Sequence, residues 1–441
     1  MDRQIGTFEE LENFFSTLSS PGIRPGLDRI TRLLDDLGHP ERSFPSVHIV
    51  GTNGKGSTAA FTESILRASG YRTALYTSPH LVSPAERLLI DGAELSLESW
   101  KRAALRVASA LRDDPALRQD PPSFFETITA AAFHLCAEEK VDIAVVEAGL
   151  GGRLDATNLL GDVALTLIAS ISMDHMDYLG GTIEAIAREK FAVMRPGVPA
   201  YFSGSPAELV PLFRAEAAAR GAIAHVSPEE CVVSGISVDE AGLSFQYEGH
   251  GLSLFVTTLL LGLYQVENAS LAISGAASLM RAFPRITSET IVRGVAEARW
   301  PGRFEVLRRE PPLVLDGGHN PDGVRHLVEA LTALYGNRRF DILYAAMKDK
   351  DYGQCLSYLR TVGRRLLCTR VPGNDRSESP LLLAERAMAA GWPREAIGSF
   401  ADPLCAFHEA EAGGEGVLCS GSLYFIGALR PRIRSLLDGT P

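Results

Sequence analysis

Six cysteines in 441 residues, none in a CxxC pair or other metal spacing, give no basis for a disulfide framework or a cysteine zinc site. Several lie in apolar runs, as reduced core thiols do. No stretch approaches about eighteen consecutive apolar residues, so no membrane span is expected. The opening MDRQIGTFEELENFF has no basic segment followed by an apolar one, and the chain is read as cytoplasmic. Basic residues are outnumbered, with 43 Lys and Arg against 54 Asp and Glu and a net charge of −11. A nucleic-acid binder needs a basic face to meet phosphates, so no nucleic acid is expected and small molecules are the expected partners. No repeat of roughly 20 to 50 residues and no low-complexity tract is present.

What is present is ordinary globular material, 46% hydrophobic and 22% charged, in a chain long enough for two or three domains. Short apolar runs alternate with helical patterns, which predicts a parallel sheet wrapped by helices. SVHIV, RTALYT, VDIAVVEA and DVALTLIAS are the strands expected in the first half. Each ends in a polar or glycine-bearing loop, and in open α/β sheets ligands collect beyond the carboxyl ends of strands. From about 222 to 260, pieces such as GLSFQYEG and GLSLFVTT predict a small antiparallel sheet on one edge. ARWPGRFEVL, 298 to 307, puts Trp, Pro and Gly together in a stiff joint, after which PPLVLDGGHN, FDILYAAMKDKD, RRLLCTRV and GEGVLCSGS begin a new α/β alternation. Two domains are expected, 1–297 and 298–441.

GTNGKGS, residues 51 to 57, stands between SVHIV and a helical pattern. Strand, glycine turn and helix in that order cradle phosphate, because the free N–H groups of the helix start point at the anion. The match to GxxxxGK[ST] is imperfect: Ile49 occupies the place of its first glycine and Gly56 that of its hydroxyl, with Ser57 and Thr58 next. The dinucleotide pattern GxGxxG/A is met by Gly54, Gly56 and Ala59. It also expects an acid at the end of the next strand for a ribose hydroxyl, and Ser78, Pro79 and His80 stand there. Lys55, able to reach β- and γ-phosphates, favours a triphosphate.

A triphosphate brings magnesium, which takes oxygen ligands. Glu147 ends the apolar run IAVVEA, where an unpaired acid is costly, so a metal or a base beside it is expected. Asp155 is a second acid in the following loop, as ligand or as turn cap. MDHMD, 173 to 177, is a polar cluster at the end of the next strand, and His175 in it is read equally as ligand or ordinary polar residue. Glu189 and Lys190 read from spacing alone as an exposed ion pair.

PGLDRITRLLDDLGHP, GTNGKGS, TSPHLVSPAERLLIDG, VEAGLGGRLDATN, HMDYLGGTIEAIAREK, RWPGRFEVL, LDGGHNPDG and GSLYFIGALR, in this order from about residue 20 to 430, resemble the signature of the folylpolyglutamate synthase and dihydrofolate synthase family of the Mur ligase superfamily. The resemblance implies an N-terminal P-loop ATPase-type parallel-sheet domain with a small antiparallel edge sheet, and a C-terminal Rossmann-like α/β domain, the glutamate ligase part. It implies a monomeric ligase that joins L-glutamate to a folate or dihydropteroate carboxylate with ATP, through an acyl phosphate. By motif, Gly51, Thr52, Asn53, Gly54, Lys55, Gly56 and Ser57 would hold the phosphates, with Asn268, Arg303, Asp316 and His319 reaching ATP. Ser78 and Glu147 would hold one magnesium ion and His175 a second. Lys190 falls on the lysine carbamylated in similar enzymes, which makes it a metal ligand instead of an exposed cation. Lys55, Glu147, His175 and Lys190 would thus be the catalytic group, and Pro79, His80, Arg87 and Asp155 would meet the pteridine substrate.

Two departures from the family pattern stand out. Tyr264 occupies the place of a common His, and EKFAVMRPG replaces EKAGIIKPG, so Phe191 and Ala192 change the packing beside Lys190. Other readings predict other behaviour. A P-loop kinase or NTPase would ignore glutamate, a nicotinamide oxidoreductase would bind NADH, and a cell-wall Mur ligase would not need the SPHLV and GLGGRLDATN segments.

Overall fold

Strand β1 (Pro45–Val50) is buried along nearly its whole length, and the sheet is built outward from it. The computed structural model describes residues 5–239 and 241–439. The remaining strands of this sheet are β2 (Thr73–Tyr76), β3 (Leu88–Ile90), β4 (Ala93–Glu94), β5 (Ile143–Glu147), β6 (Asp162–Ile168), β7 (Pro199–Phe202) and β8 (Ile223–Val226). Their spatial order is β4-β3-β2-β5-β1-β6-β7-β8, all parallel except β3, which runs against the rest. Strands covered on both faces read as continuous apolar runs, which is why SVHIV and IAVVE show no alternation.

On one face, helices Asp28–Asp36, Leu97–Asp113 and Phe124–Glu138 enclose a core that holds Leu33, Tyr76, Trp100 and Phe133. Helix Gln265–Leu279 packs on β6, since a Cβ at Gly275 would lie 2.8 Å from Leu167. Helix Ser288–Glu297 presses against Lys55–Ala68 so closely that Ser64 Oγ donates to Gly294 O at 2.7 Å. The level of the strand ends matters most for function. Tyr76 pairs with Val146, Ile49 with Glu147 and Val50 with Ile168. The loops after β1, β2, β5 and β6 therefore leave the sheet along one edge.

The segment 222 to 260 resolves into two parts. Ile223–Val226 is parallel β8, and the antiparallel sheet is separate, formed by β9 (Cys231–Asp239), β10 (Gly242–Gly249) and β11 (Leu252–Thr258) in the order β11-β10-β9. Sequence reading missed the β3–β4 hairpin, although LLIDGAEL carries its signal. Asp91 and Gly92 both take positive φ, 51° and 75°, as a tight hairpin turn requires.

The second sheet contains β12 (Glu305–Arg308), β13 (Leu313–Asp316), β14 (Phe340–Tyr344), β15 (Gly363–Cys368), β16 (Ile397–Ser399) and β17 (Gly416–Ser420), ordered β12-β13-β17-β14-β15-β16. Only β12 is antiparallel to its neighbour. Its core includes Leu327, Phe340, Tyr344, Leu356 and Trp392. The chain divides into two compact units: residues up to Gly235 with Phe245–Val256 and Glu267–Ala298, and Ile236–Ser244 with Thr257–Val266 and Arg299 onward.

Candidate active site

The turn after β1 is shaped by two glycines at positive φ, Gly51 at 152° and Gly54 at 85°, the latter opening helix Lys55–Ala68. No side chain caps that helix start from Gly54, and the positive end of a helix favours an anion. A Cβ on Gly54 would lie 2.3 Å from Asn268 Oδ1, so the side chain of Asn268, 5% exposed, rests on the turn. The loop after β6 fixes the rest. Thr52 N–H donates to Ser170 O at 2.7 Å, Ser172 N–H donates to Thr52 Oγ1 at 3.1 Å, and Asn53 Nδ2 donates to Ser172 Oγ at 3.2 Å. Ser170 and Ser172 were not singled out from the sequence. Their signal was the polar run directly after an apolar strand.

Lys55 Nζ donates to Thr52 O at 3.1 Å and lies 3.9 Å from Glu147 Oε1. A basic group does stand beside the strand-end acid, which is 5% exposed. Lys190 is also buried, at 4% exposed, and its Nζ donates to Gly51 O at 2.7 Å. The exposed ion pair read from spacing is thus overturned: Lys190 faces inward, and Glu189 pairs with Arg153 at 3.0 Å instead. Burial, reinforced by the charge of Lys55, pushes the Lys190 amine down to about 7 against the pull of Asp174 and Asp155. Phe191 points away from this point into an aromatic cluster with Phe202 and Phe213, ring centroids 5.6 and 5.4 Å away. The unusual residue fills an apolar core together with Val50, Phe202 and Phe213.

Asp155 is 4% exposed and bound within its own loop. Leu150 N–H reaches its Oδ2 at 2.7 Å, and Thr157 gives its Oδ1 both N–H and hydroxyl, at 3.0 and 2.6 Å. Burial raises its carboxyl above the usual range, opposed by these donors. Beyond β2, half-buried Ser78, Pro79 and His80 lead into a turn closed by Glu86, which accepts from Leu81, Val82 and Ser83 N–H. Arg87 Nε donates to His80 Nδ1 at 3.0 Å and its guanidinium covers the Phe124 ring at 5.4 Å. Burial first, then the Arg87 charge, pushes the imidazole of His80 down to about 4, so it is neutral. His175 takes a left-handed conformation, φ 52°, with its N–H on Asp174 Oδ1 at 2.8 Å.

In the second unit, Asp316 ends β13 at 4% exposure and accepts Phe304 N–H at 2.8 Å and Gly318 N–H at 2.7 Å. Burial lifts its carboxyl above the usual range, with Arg303 the main opposing charge. His319 Nδ1 lies 3.1 Å from Gly317 O. Phe304 holds φ 45°, a strained angle for a bulky residue, at the Trp-Pro-Gly joint. Tyr264 stacks on His326, and burial, then the charge of Asp316, pushes its hydroxyl well above the phenol range.

Magnesium takes oxygen donors, and a nucleotide's phosphates supply several of them. Ser78 and Glu147 fit that demand. Lys190 fits only with its positive charge removed. Among the described residues no three His, Cys, Asp or Glu side chains converge, so any ion here depends on other oxygens as well. No described helix is long and apolar enough to cross a membrane.

Residues 49–276 match the Mur ligase middle domain, and 302–423 match the Mur ligase glutamate ligase domain. The chain is 34% identical over 418 residues to the dihydrofolate synthase/folylpolyglutamate synthase of Bacillus subtilis, covering 94% of this chain and 96% of that one. To the protein of the same name from Escherichia coli it is 32% identical over 415 residues, 94% and 92% of the two chains. Among solved structures, Mycobacterium tuberculosis folylpolyglutamate synthase complexed with ADP superposes with a TM-score of 0.89 at 31% identity, over 96% of this chain and 98% of that one. E. coli FolC in complex with DHPP and ADP gives 0.86 at 28% identity, over 99% and 100%.

Proposed function

The chain belongs to the folylpolyglutamate synthase/dihydrofolate synthase family of Mur ligases, which are ATP-dependent glutamate ligases, and from that premise we propose how its residues carry out the ligation. A carboxylate is a poor electrophile, because its charge repels nucleophiles and it lacks a leaving group. ATP removes both obstacles. The acceptor carboxylate oxygen takes the γ-phosphoryl group as the β–γ bridge bond breaks and ADP departs. The amine of L-glutamate then attacks the acyl carbon, and the C–O bond to phosphate breaks.

The observation that carries this reading is Lys55 in the glycine turn, 3.9 Å from buried Glu147. Gly51 to Ser57 cradle the phosphates, and Lys55 offsets charge as the anionic acceptor approaches them. Magnesium supplies further charge neutralisation when bound, with Ser78 and Glu147 as donors for one ion and His175 with carbamylated Lys190 for a second. Carbamylation would exchange a buried ammonium for anionic oxygens. Asn268 holds the turn from above and reaches ATP, and in the second unit Arg303, Asp316 and His319 are assigned to ATP on the family pattern. Pro79, His80, Arg87 and Asp155 are assigned to the pteridine-bearing acceptor. Residues 1–297 and 298–441 would be the two domains of a cytoplasmic monomer that acts on small molecules alone.

A mass-resolved assay with ATP, magnesium and glutamate tests this, run separately with dihydropteroate and with tetrahydrofolate. Growth of either acceptor by one glutamyl unit is expected, and growth of both defines a bifunctional enzyme. ATP consumption without glutamate dependence, and with neither acceptor extended, would overturn it.

A further inference from the structure

The loop that follows Glu147 is anchored by a buried polar chain that starts on the central strand. His48, in β1, has no solvent exposure, and its Nε2 lies 2.8 Å from Thr157 Oγ1. Thr157, equally buried, donates that hydroxyl to Asp155 Oδ1 at 2.6 Å. A hydroxyl has one proton to give, so with Thr157 committed to the carboxylate, Nε2 of His48 is the donor. The tautomer is thereby fixed. Nδ1 is left buried without a hydrogen-bond partner among the described residues.

A buried polar atom left idle is costly, and an apolar side chain would fill a strand interior without that cost. The compensating feature is the directional bond to Thr157. Its effect spreads through Asp155, which holds Leu150 N–H at one end of the loop and Thr157 N–H at the other. Between them Gly152 lies against the helix that carries Lys190: a Cβ there would be 2.7 Å from Glu189 O and 3.1 Å from Lys190 Cα. Arg153 N–H closes the contact on Glu189 O at 2.8 Å. Turning the Asp155 carboxylate would break the bonds that tie Leu150 to Thr157 across this loop.

We propose that His48 and Thr157 are positioning residues for the ligation, holding Asp155 and the 148–157 loop in the form that receives the acceptor. This rests on the assignment of Asp155 to the acceptor above. Neither residue is a catalytic group, because each acts through Asp155.

Steady-state kinetics on the full chain, with circular dichroism to establish that each variant is folded at the assay temperature, provide the test. Thr157→Val, which keeps the shape and deletes the hydroxyl, is expected to raise the acceptor KM roughly 10- to 100-fold, the range seen when supporting hydrogen bonds are cut. The KM for ATP should stay within about twofold, a split that general destabilisation would not produce. Thr157→Ser should recover most of the loss, and His48→Gln, which can still donate, should be milder than His48→Leu. His48→Leu combined with Thr157→Val should be no worse than Thr157→Val alone, because both cut one chain. A folded Thr157→Val enzyme with unchanged acceptor KM, or losses that multiply in the double variant, overturns the proposal. Asp155→Asn separates the two levels. If it also leaves the acceptor KM unchanged, the acceptor assignment itself fails; if it raises KM while Thr157→Val does not, only the positioning role fails.

Discussion

Lys55 and His48 show how differently two buried or half-buried bases can be used a few residues apart. Lys55 keeps a carboxylate 3.9 Å away and sits in the turn where phosphate charge would accumulate. Lys55→Ala is expected to lower glutamate-dependent phosphate release by about 100-fold or more, the scale of losing one preorganised charge-stabilising donor, with an unaltered melting curve. Burial drives the His48 imidazole down to about 3, against about 6.5 in an unfolded chain. The sign follows directly. Above about pH 6.5 neither state is protonated and stability is unaffected; below it the unfolded state binds a proton that the folded state refuses, and stability falls until the pH reaches about 3. At pH 5 this amounts to about 2 kcal/mol from His48. Urea midpoints at pH 7.5 and pH 5 should therefore differ less in His48→Gln than in the parent chain.

The elements bring these residues into use. The glycine turn is held in one shape because β1 is central and the loop after β6 clamps it through Ser170 and Ser172, as the proposed phosphate cradle requires. Gly54→Ala would place an L residue at φ 85°, costing about 1–2 kcal/mol of backbone strain, and would drive its Cβ into Asn268. Nucleotide titration by calorimetry should show weakened ATP binding, while the melting temperature drops only modestly. Phe191 tests the helix that carries Lys190. Filling the space between Phe202 and Phe213, it should cost about 3–5 kcal/mol when changed to Ala, measured by urea unfolding.

At the scale of the whole molecule, an acidic chain with net charge −11 has to bring together an anionic acceptor, a nucleotide and glutamate. On the proposed mechanism, local cations in fixed places would do this against an unfavourable overall field, and divalent ions would complete the neutralisation. Chelation with excess EDTA should abolish ligation, and magnesium should restore it. Phosphate released, ADP formed and glutamyl units added should appear in a 1:1:1 ratio, within about 10%, as coupled acyl-phosphate chemistry demands. Phosphate in clear excess of product in the presence of glutamate would indicate an acyl intermediate exposed to water.

Local chemistry was legible from the chain alone. Apolar runs marked the strands, GTNGKGS marked a glycine turn at the end of the central one, and the ordered motifs marked the family, because strand periodicity and turn residues act over a few positions. Asp155, read as ligand or turn cap, does cap the turn at Thr157, whereas spacing alone did not show the inward turn of Lys190 or the clamp from Ser170 and Ser172. These last two depend on groups about 120 to 140 positions apart that meet only once strand order and register are set, and spacing along a helix cannot say which face is inward until something packs against it. The sequence by itself determined the fold class, the glycine turn after the first strand and the kind of reaction. Tertiary structure alone decided which charges are buried, which nitrogen of His48 carries its proton and which loop the phosphate turn leans on, since burial and hydrogen-bond geometry are properties of neighbours in space.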